Sequence, residues 1–253
     1  QHYADHYPET RSKLAFRYWL RALSRSLSTF DRVLTVSKSA ADQLRSFCDR
    51  HKIQTPAIEV TYEGSTWEHY RSLRFQKQDR VIHLASTAIH KRTNELIKHW
   101  CQLRSRREAL PELILVGSID DEARVLIDGN PGIRKMPRAT QEQLRDLVGS
   151  CRALLLPSEI EGFGLPAIEA YYVGTPACYV GDTSVDEILN MDREVVLPGR
   201  FELGDLGSFE SALEQAISLS DSEIRHVSNA LFDRFATAKI AERVMHAFRR
   251  SIV

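Results

Sequence analysis

Two spacings of apolar residues alternate along the chain. Compact runs of roughly four to eight residues, rich in Val, Ile and Leu, are separated by longer stretches with apolar positions three or four apart. Residues 11–30 (RSKLAFRYWLRALSRSLSTF) predict a helix in which Leu20, Leu23 and Leu27 share an apolar face, whereas Leu14, Tyr18, Arg21 and Arg25 make no clean apolar one. A strand over 31–37 (DRVLTVS) follows, then a helix over 39–51 that Ser37 or Ser39 can cap, then a strand over 57–64 ended by Gly64. Strand, helix and strand at this spacing make a βαβ unit. After a polar, basic connector over 67–79 the alternation restarts: strand 80–86, helix 92–103, strand 112–118 ending in Gly117, helix 120–128 and a short strand 132–136. A helix over 140–150 has Thr140 as its cap and Glu142 in its first turn. The near-continuous apolar run 151–158 (CRALLLPS) has the character of a strand buried on both faces. Helix 166–173, strand 175–181, a helical turn at 184–190, strand 193–198 and helical sequence over 208–219 and 221–250 complete the order. This alternation predicts an α/β fold built on a parallel sheet, without internal repeats or low-complexity segments.

The junction SEIEGFGLPAIEAYYVGTPA (158–177) holds the richest chemistry. It runs from a strand through a glycine turn into a helix, and ligands of open α/β sheets sit at such places. Gly162 and Gly164 can take positive φ and let backbone amides approach a ligand; Pro166 suits the first helical position, where its missing N–H costs nothing. The amides and dipole of a helix start favour an anion, by about 0.3–1 kcal/mol at an exposed site. Glu161 before the turn and Glu169, expected in the first turn of the helix, need a separate reason. Either would repel an adjacent phosphate by about 4 kcal/mol at ~4 Å for an effective dielectric near ~20. Carboxylates do accept hydrogen bonds from vicinal hydroxyls. A ligand with sugar hydroxyls on both sides of a diphosphate satisfies all these groups, and a nucleotide-sugar has that shape.

Composition narrows the partners. Among 253 residues, 34 basic and 34 acidic side chains cancel, so no global field recruits nucleic acid. Cys48, Cys101, Cys151 and Cys178 are scattered without a C-x-x-C pair, against a zinc knuckle or disulfide framework and consistent with a reducing, cytoplasmic compartment. Nine histidines show no metal-ligand spacing. No apolar run approaches the roughly 20 residues of a membrane span. Arg17, Arg21 and Arg25 form a stripe beside Phe16 and Trp19, which serves either as a solvated face or as peripheral contact with anionic lipid at the inner face of a membrane. The chain starts at Gln1 without a signal-peptide pattern and reads as cut from something longer.

EGFGLPAIEA resembles the E-x7-E signature of retaining glycosyltransferases of GT-B fold, family four of that class, with Glu161 and Glu169 as its two glutamates. The resemblance extends from Asp31 to about Arg250. RVLTVSKSAADQL is similar to the late strand and serine-capped helix of the family's N-terminal domain. VTYEGST resembles the domain-crossing V-x-N-G-V-D segment, with Glu63 in place of Asn. ELILVGS is similar to the strand ending in a glycine near the nucleotide, and TSVDEIL to an S-x-x-E turn with Ser184 and Glu187. The resemblance implies a Rossmann-like parallel sheet flanked by helices, the nucleotide-sugar domain, over residues 76–235. A partial second Rossmann-like domain and linker would occupy 1–75, and a C-terminal helix over 236–253 would cross back to it.

By residue, the resemblance implies that Glu161 contacts hydroxyls of the donor sugar and that Gly162, Phe163, Gly164 and Leu165 turn amides toward sugar and diphosphate. Glu169 would bind the ribose hydroxyls, Gly117 would lie beside the nucleotide, and Lys91 in STAIHKRTNEL would pair with the diphosphate. The family's companion arginine upstream of that lysine is absent; ASTA (85–88) stands there, with Ser86 or His90 as substitute hydrogen-bonding groups. The donor would be of UDP or GDP type, the acceptor a saccharide or a lipid-linked molecule, and the product a polysaccharide or glycolipid. No D-x-D motif marks a metal site and no resident cofactor is implied. The family's acceptor site lies early in a domain of which only the end is matched. If the chain is a fragment, it would bind donor yet transfer poorly or not at all; if it is whole, it would need a partner chain or not be a transferase. A non-catalytic nucleotide-sugar-binding module acting with a partner chain is the alternative, and a sugar-nucleotide epimerase on the same fold a third.

Overall fold

The computed structural model describes residues 13–107, 109–191 and 196–250. Residues up to Gly64, with those from Phe235 onward, form one unit, and Ser65–Arg234 form another.

In the first unit, α1 (Lys13–Leu27), β1 (Arg32–Thr35), α2 (Lys38–His51) and β2 (Ala57–Val60) follow in order. The two strands pair in parallel, Arg32 opposite Ala57 and Thr35 opposite Val60. Ser37 is the cap of α2: its Oγ accepts from the Ala40 amide at 2.9 Å. The expected apolar face of α1 is present, because Leu20, Leu23 and Leu27 pack with Phe47, Cys48 and Ile53. Arg17, Arg21 and Arg25 are exposed, as are Leu14 and Tyr18. Strand β2 stops at Val60, short of the expected Gly64.

The second unit contains β3 (Arg80–Ala85), α3 (Thr93–Arg106), β4 (Glu112–Gly117), α4 (Asp121–Ile127), β5 (Ile133–Met136), α5 (Gln141–Gly149) and β6 (Ala153–Leu156). It continues through α6 (Leu165–Tyr172), β7 (Ala177–Val180), α7 (Ser184–Asn190), β8 (Arg200–Phe201), α8 (Leu206–Ser218) and α9 (Asp221–Phe235). Six strands pair in parallel in the order β5-β4-β3-β6-β7-β8. Every residue of β6 and β7 is buried, which is why both are apolar runs without alternation. Trp100 and Leu103 of α3 and Phe209 and Leu213 of α8 fill one face, with the Trp100 and Phe209 rings edge-on at 6.5 Å. Thr140 and Gln143 form a reciprocal capping box on α5.

Two expectations are corrected, and a third is refined. The helical stretch 221–250 is two helices: Ala236 is extended (φ −54°, ψ 137°) and separates α9 from a last helix, Thr237–Arg249. Just before the break the Phe235 ring packs against Tyr62 of the same unit, with centroids 5.4 Å apart. Half of the strand expected over 193–198 lies outside the described residues, residues 196–198 are not in a strand, and the pairing strand is Arg200–Phe201. The connector over 67–79 opens with a 3-10 helix at Thr66–Tyr70. Among the described residues no helix is long and apolar enough to cross a membrane.

Candidate functional site

The strand order reverses at β3. From there the chain builds outward through β4 and β5, then returns to lay β6 against the other side of β3. Loops that leave the carboxyl ends of β3 and β6 therefore diverge around a crevice, the place where open α/β sheets bind ligands. Sequence-predicted residues of both loops meet there. Lys91 ends a 3-10 turn, Ile89–Lys91, and its Nζ lies 2.6 Å from Glu161 Oε1. The carboxylate is the more enclosed partner, 12% exposed against 29% for the lysine. Next to this pair, Arg92 Nε donates to Glu159 Oε2 at 3.0 Å, and the Glu159 amide donates to the His90 carbonyl at 2.9 Å. Ser184, at the start of α7, donates through Oγ to the Glu161 carbonyl at 2.9 Å. The glutamate is thus tied by side chain to one loop and by backbone to another element. Glu187 lies in the first turn of α7, which Thr183 caps.

The glycine turn differs in detail from expectation. Gly164 is the cap residue of α6, with φ 109°, and Leu165 is the first helical residue, so Pro166 occupies the second position. A Cβ on Gly164 would lie 2.7 Å from Val185 Cγ2, so both backbone and space demand glycine. Gly162 faces open space. Phe163 is 3% exposed; its ring belongs to the core and only its backbone can face a ligand. Pro166 has no N–H and the Ala167 amide donates to the Gly164 carbonyl at 2.9 Å, so fewer amides serve an anion than the motif alone implies. Because the helix starts at Leu165, Glu169 lies beyond its first turn. Its Oε1 accepts from Ser65 Oγ at 2.7 Å, and Ser65 also caps the 3-10 helix by accepting from the Trp67 amide at 3.1 Å.

Gly117 ends β4 with φ 123°, and a Cβ there would lie 2.4 Å from the Ala85 carbonyl oxygen at the end of β3. Its lack of a side chain is required by this close strand contact, whatever its part in ligand binding. Ser86 accepts through Oγ from the Ala88 amide at 3.2 Å and lines a cavity of about 480 Å³ with Arg92, Asn94 and Asp120.

His83 escaped the sequence analysis. It is 1% exposed on β3; Nδ1 lies 3.0 Å from the Leu155 carbonyl and Nε2 3.0 Å from Thr93 Oγ1. A carbonyl only accepts, so Nδ1 carries the proton, and the single Thr93 hydroxyl proton is shared between Nε2 and the Ser86 carbonyl, each 3.0 Å from Oγ1. Burial pulls the imidazole down to about 4, with the nearby Lys91 charge acting the same way more weakly. Thr93 Oγ1 in turn receives the Ser86 amide at 3.2 Å. A neutral imidazole therefore anchors the base of the loop whose far end carries Lys91. The one visible signal was a polar residue inside the apolar run RVIHLA. His90 is also held below the usual histidine range, by burial and then by Lys91.

Comparison with known proteins agrees with this architecture. Residues 65–199 match the family described as Glycosyl transferases group 1. An MMP alpha-(1->4)-mannosyltransferase of Mycolicibacterium hassiacum is 26% identical over 210 residues, 75% of this chain and 50% of that protein. The crystal structure of TarM superposes with a TM-score of 0.70 at 18% identity, over 90% of this chain and 45% of TarM. Sucrose-phosphate synthase of Thermosynechococcus elongatus gives 0.67 at 16% identity, over 95% and 63%. Anabaena Alr3699/HepE, solved with UDP and glucose, gives 0.70 at 17% identity, over 96% and 69%. The chain spans about half the length of the mannosyltransferase and of TarM. These neighbours are glycosyltransferases of GT-B fold, and the α/β fold expected from the alternation of strands and helices is the one observed.

Proposed function

Because this chain belongs to the glycosyl transferases group 1 family, we propose that Ser65–Arg234 binds a nucleotide-diphosphate sugar and serves a retaining, metal-independent hexosyl transfer. The donor is of UDP or GDP type and the acceptor a saccharide or lipid-linked molecule. The observation that carries this reading is the Lys91–Glu161 ion pair at the reversal point of the sheet. Before ligand arrives, each charge holds the other in place. A diphosphate takes the ammonium, and Glu161, released from Lys91 while Ser184 still holds its backbone, accepts hydrogen bonds from the donor sugar. Glu169 offers its carboxylate to the ribose hydroxyls. As the bond from the anomeric carbon to the diphosphate breaks, the acceptor hydroxyl attacks from the same face and its proton leaves with the departing phosphate oxygen. Lys91 and the start of α6 stabilise the charge that develops on the diphosphate. HepE, solved with UDP and glucose, lends support to a UDP donor.

A second reading, a nucleotide-sugar-binding module that works with a partner chain, draws on the missing cation upstream of Lys91, where the chain has Ala85 to Ala88. A cytoplasmic setting, with the exposed Arg17, Arg21 and Arg25 against anionic lipid, fits a lipid-linked acceptor and is testable by vesicle co-sedimentation.

Thermal unfolding with UDP, GDP, ADP and their sugars tests the reading. A ligand at about 100 times its Kd adds roughly 2.7 kcal/mol, an easily measured shift. No shift with any of them would refute it. A shift without release of nucleoside diphosphate in the presence of acceptors would select the binding module.

A further inference from the structure

The residue after Lys91 has a backbone conformation that side chains seldom adopt. Arg92 lies at φ 50°, ψ 32°, left-handed, between the 3-10 turn and the first residue of α3. The chain reverses there, and the reversal lets two consecutive cations serve one opposing loop. Lys91 reaches Glu161, while Arg92 reaches Glu159 with Nε at 3.0 Å and Nη2 at 2.5 Å from the same oxygen, Oε2. The hydrogen bond from the Glu159 amide to the His90 carbonyl, 2.9 Å, runs alongside. Residues 90, 91 and 92 of one loop are thus joined to residues 159 and 161 of the other by one backbone and two charged ties. Arg92 and Glu159 are each about one-third exposed, and Glu95 adds a longer contact to Arg92 at 3.8 Å.

We propose that Arg92 and Glu159 form a positioning clamp that keeps Lys91 in place while it exchanges Glu161 for a diphosphate. The inference rests on the reading of Lys91 given under Proposed function. A lysine on a loop fixed by its own ion pair alone would lose its position when that pair opened. The clamp removes this loss because Glu159, unlike Glu161, keeps its cation when the ligand binds. Arg92 therefore acts through the placement of its neighbour, and the charge presented to the diphosphate is that of Lys91.

The test is calorimetric titration of the full chain with UDP and GDP, with competitive displacement for weak binders. Glu159→Gln and Arg92→Gly should each weaken binding roughly 10-fold, the scale of removing an orienting partner outside the ligand's direct contacts. Arg92→Gly relieves the backbone strain, so its Tm should stay near that of the wild type while its affinity falls. In a Lys91→Ala background, Glu159→Gln should add less than about twofold, since the clamp has nothing left to place. Binding by Glu159→Gln within about twofold of wild type would overturn the clamp and leave the functional reading standing. So would an equal loss with and without Lys91, the signature of a merely structural role. Failure of the wild type to bind either UDP or GDP would overturn both.

Discussion

Ser65 Oγ donates to Glu169 Oε1 at 2.7 Å, joining a residue that precedes the 3-10 helix to a carboxylate on α6, 104 positions away in sequence. The same oxygen accepts from the Trp67 amide at 3.1 Å, so one hydroxyl both orients the glutamate and caps a helix. Ser65→Ala removes both bonds and should destabilise the protein by about 1–2 kcal/mol, with Ser65→Thr restoring most of it. Urea unfolding measures this; a loss below ~0.3 kcal/mol would mean that neither bond contributes.

If Lys91 stabilises the departing diphosphate, Lys91→Ala should lower turnover by roughly 10²–10³-fold, the usual effect of deleting one such donor. Steady-state kinetics with a responsive donor decide it, and unchanged turnover removes Lys91 from the mechanism.

On the proposed reading Glu161 serves the sugar and not the nucleotide. Glu161→Ala should therefore weaken binding of the nucleotide-sugar more than that of the bare nucleotide. Paired calorimetric titrations separate the two, and an equal loss for both ligands would contradict the assignment.

The three glycines near the crevice should respond differently to alanine. Gly117→Ala sets a methyl group 2.4 Å from the backbone oxygen of Ala85 at φ 123° and should cost about 3 kcal/mol or more. Gly164→Ala meets Val185 Cγ2 at 2.7 Å at φ 109° and should cost about 2 kcal/mol, because a side chain can yield where a carbonyl cannot. Gly162→Ala meets nothing within 4 Å and should stay within about 0.5 kcal/mol. Thermal unfolding of the three variants gives the ranking; a strongly destabilised Gly162→Ala would contradict the geometry.

His83 links stability to pH. Its imidazole titrates near 6.5 when unfolded and is held down to about 4 in the fold, chiefly by burial. Between those values the unfolded chain binds the extra proton, so its contribution is intact above pH 6.5 and is lost as pH falls toward 4. The loss reaches about 3 kcal/mol. His83→Gln should flatten the stability profile in that window, measured by denaturant titration at half-unit steps; a profile as steep as wild type would assign the slope to other groups.

The architecture was legible because a sheet covered on both faces requires apolar strands, and β6 and β7, with every residue buried, show why the runs were so clear. Caps were legible for a similar local reason: Thr140 and Gln143 lie within one helical turn. Non-local arrangements were not. The sequence marks Lys91 and Glu161 separately, yet their meeting depends on β6 returning to the far side of β3. The break at Ala236 is invisible in a continuous helical pattern; next to it Phe235 packs on Tyr62, a residue distant in sequence. His83 reads as one polar residue in a strand until Leu155 and Thr93 are seen on its two nitrogens. The start of α6 shifted by one residue, which was enough to carry Glu169 out of the first turn.

The central place of β3 has a consequence for how the protein comes to be made. One flank of β3 can acquire β4 soon after synthesis, but the other must wait for β6; His83 and its partner Leu155 are 72 residues apart. Meanwhile a bare row of peptide groups lies open on a nascent half-sheet, a template for pairing with the wrong chain. Pulse-labelling hydrogen exchange during refolding should protect the amides of β3 and β4 before those of β6 and β7, and simultaneous protection would rule this order out. On this account the strand that organises the finished crevice is also the one most exposed to aggregation while the polypeptide is still emerging.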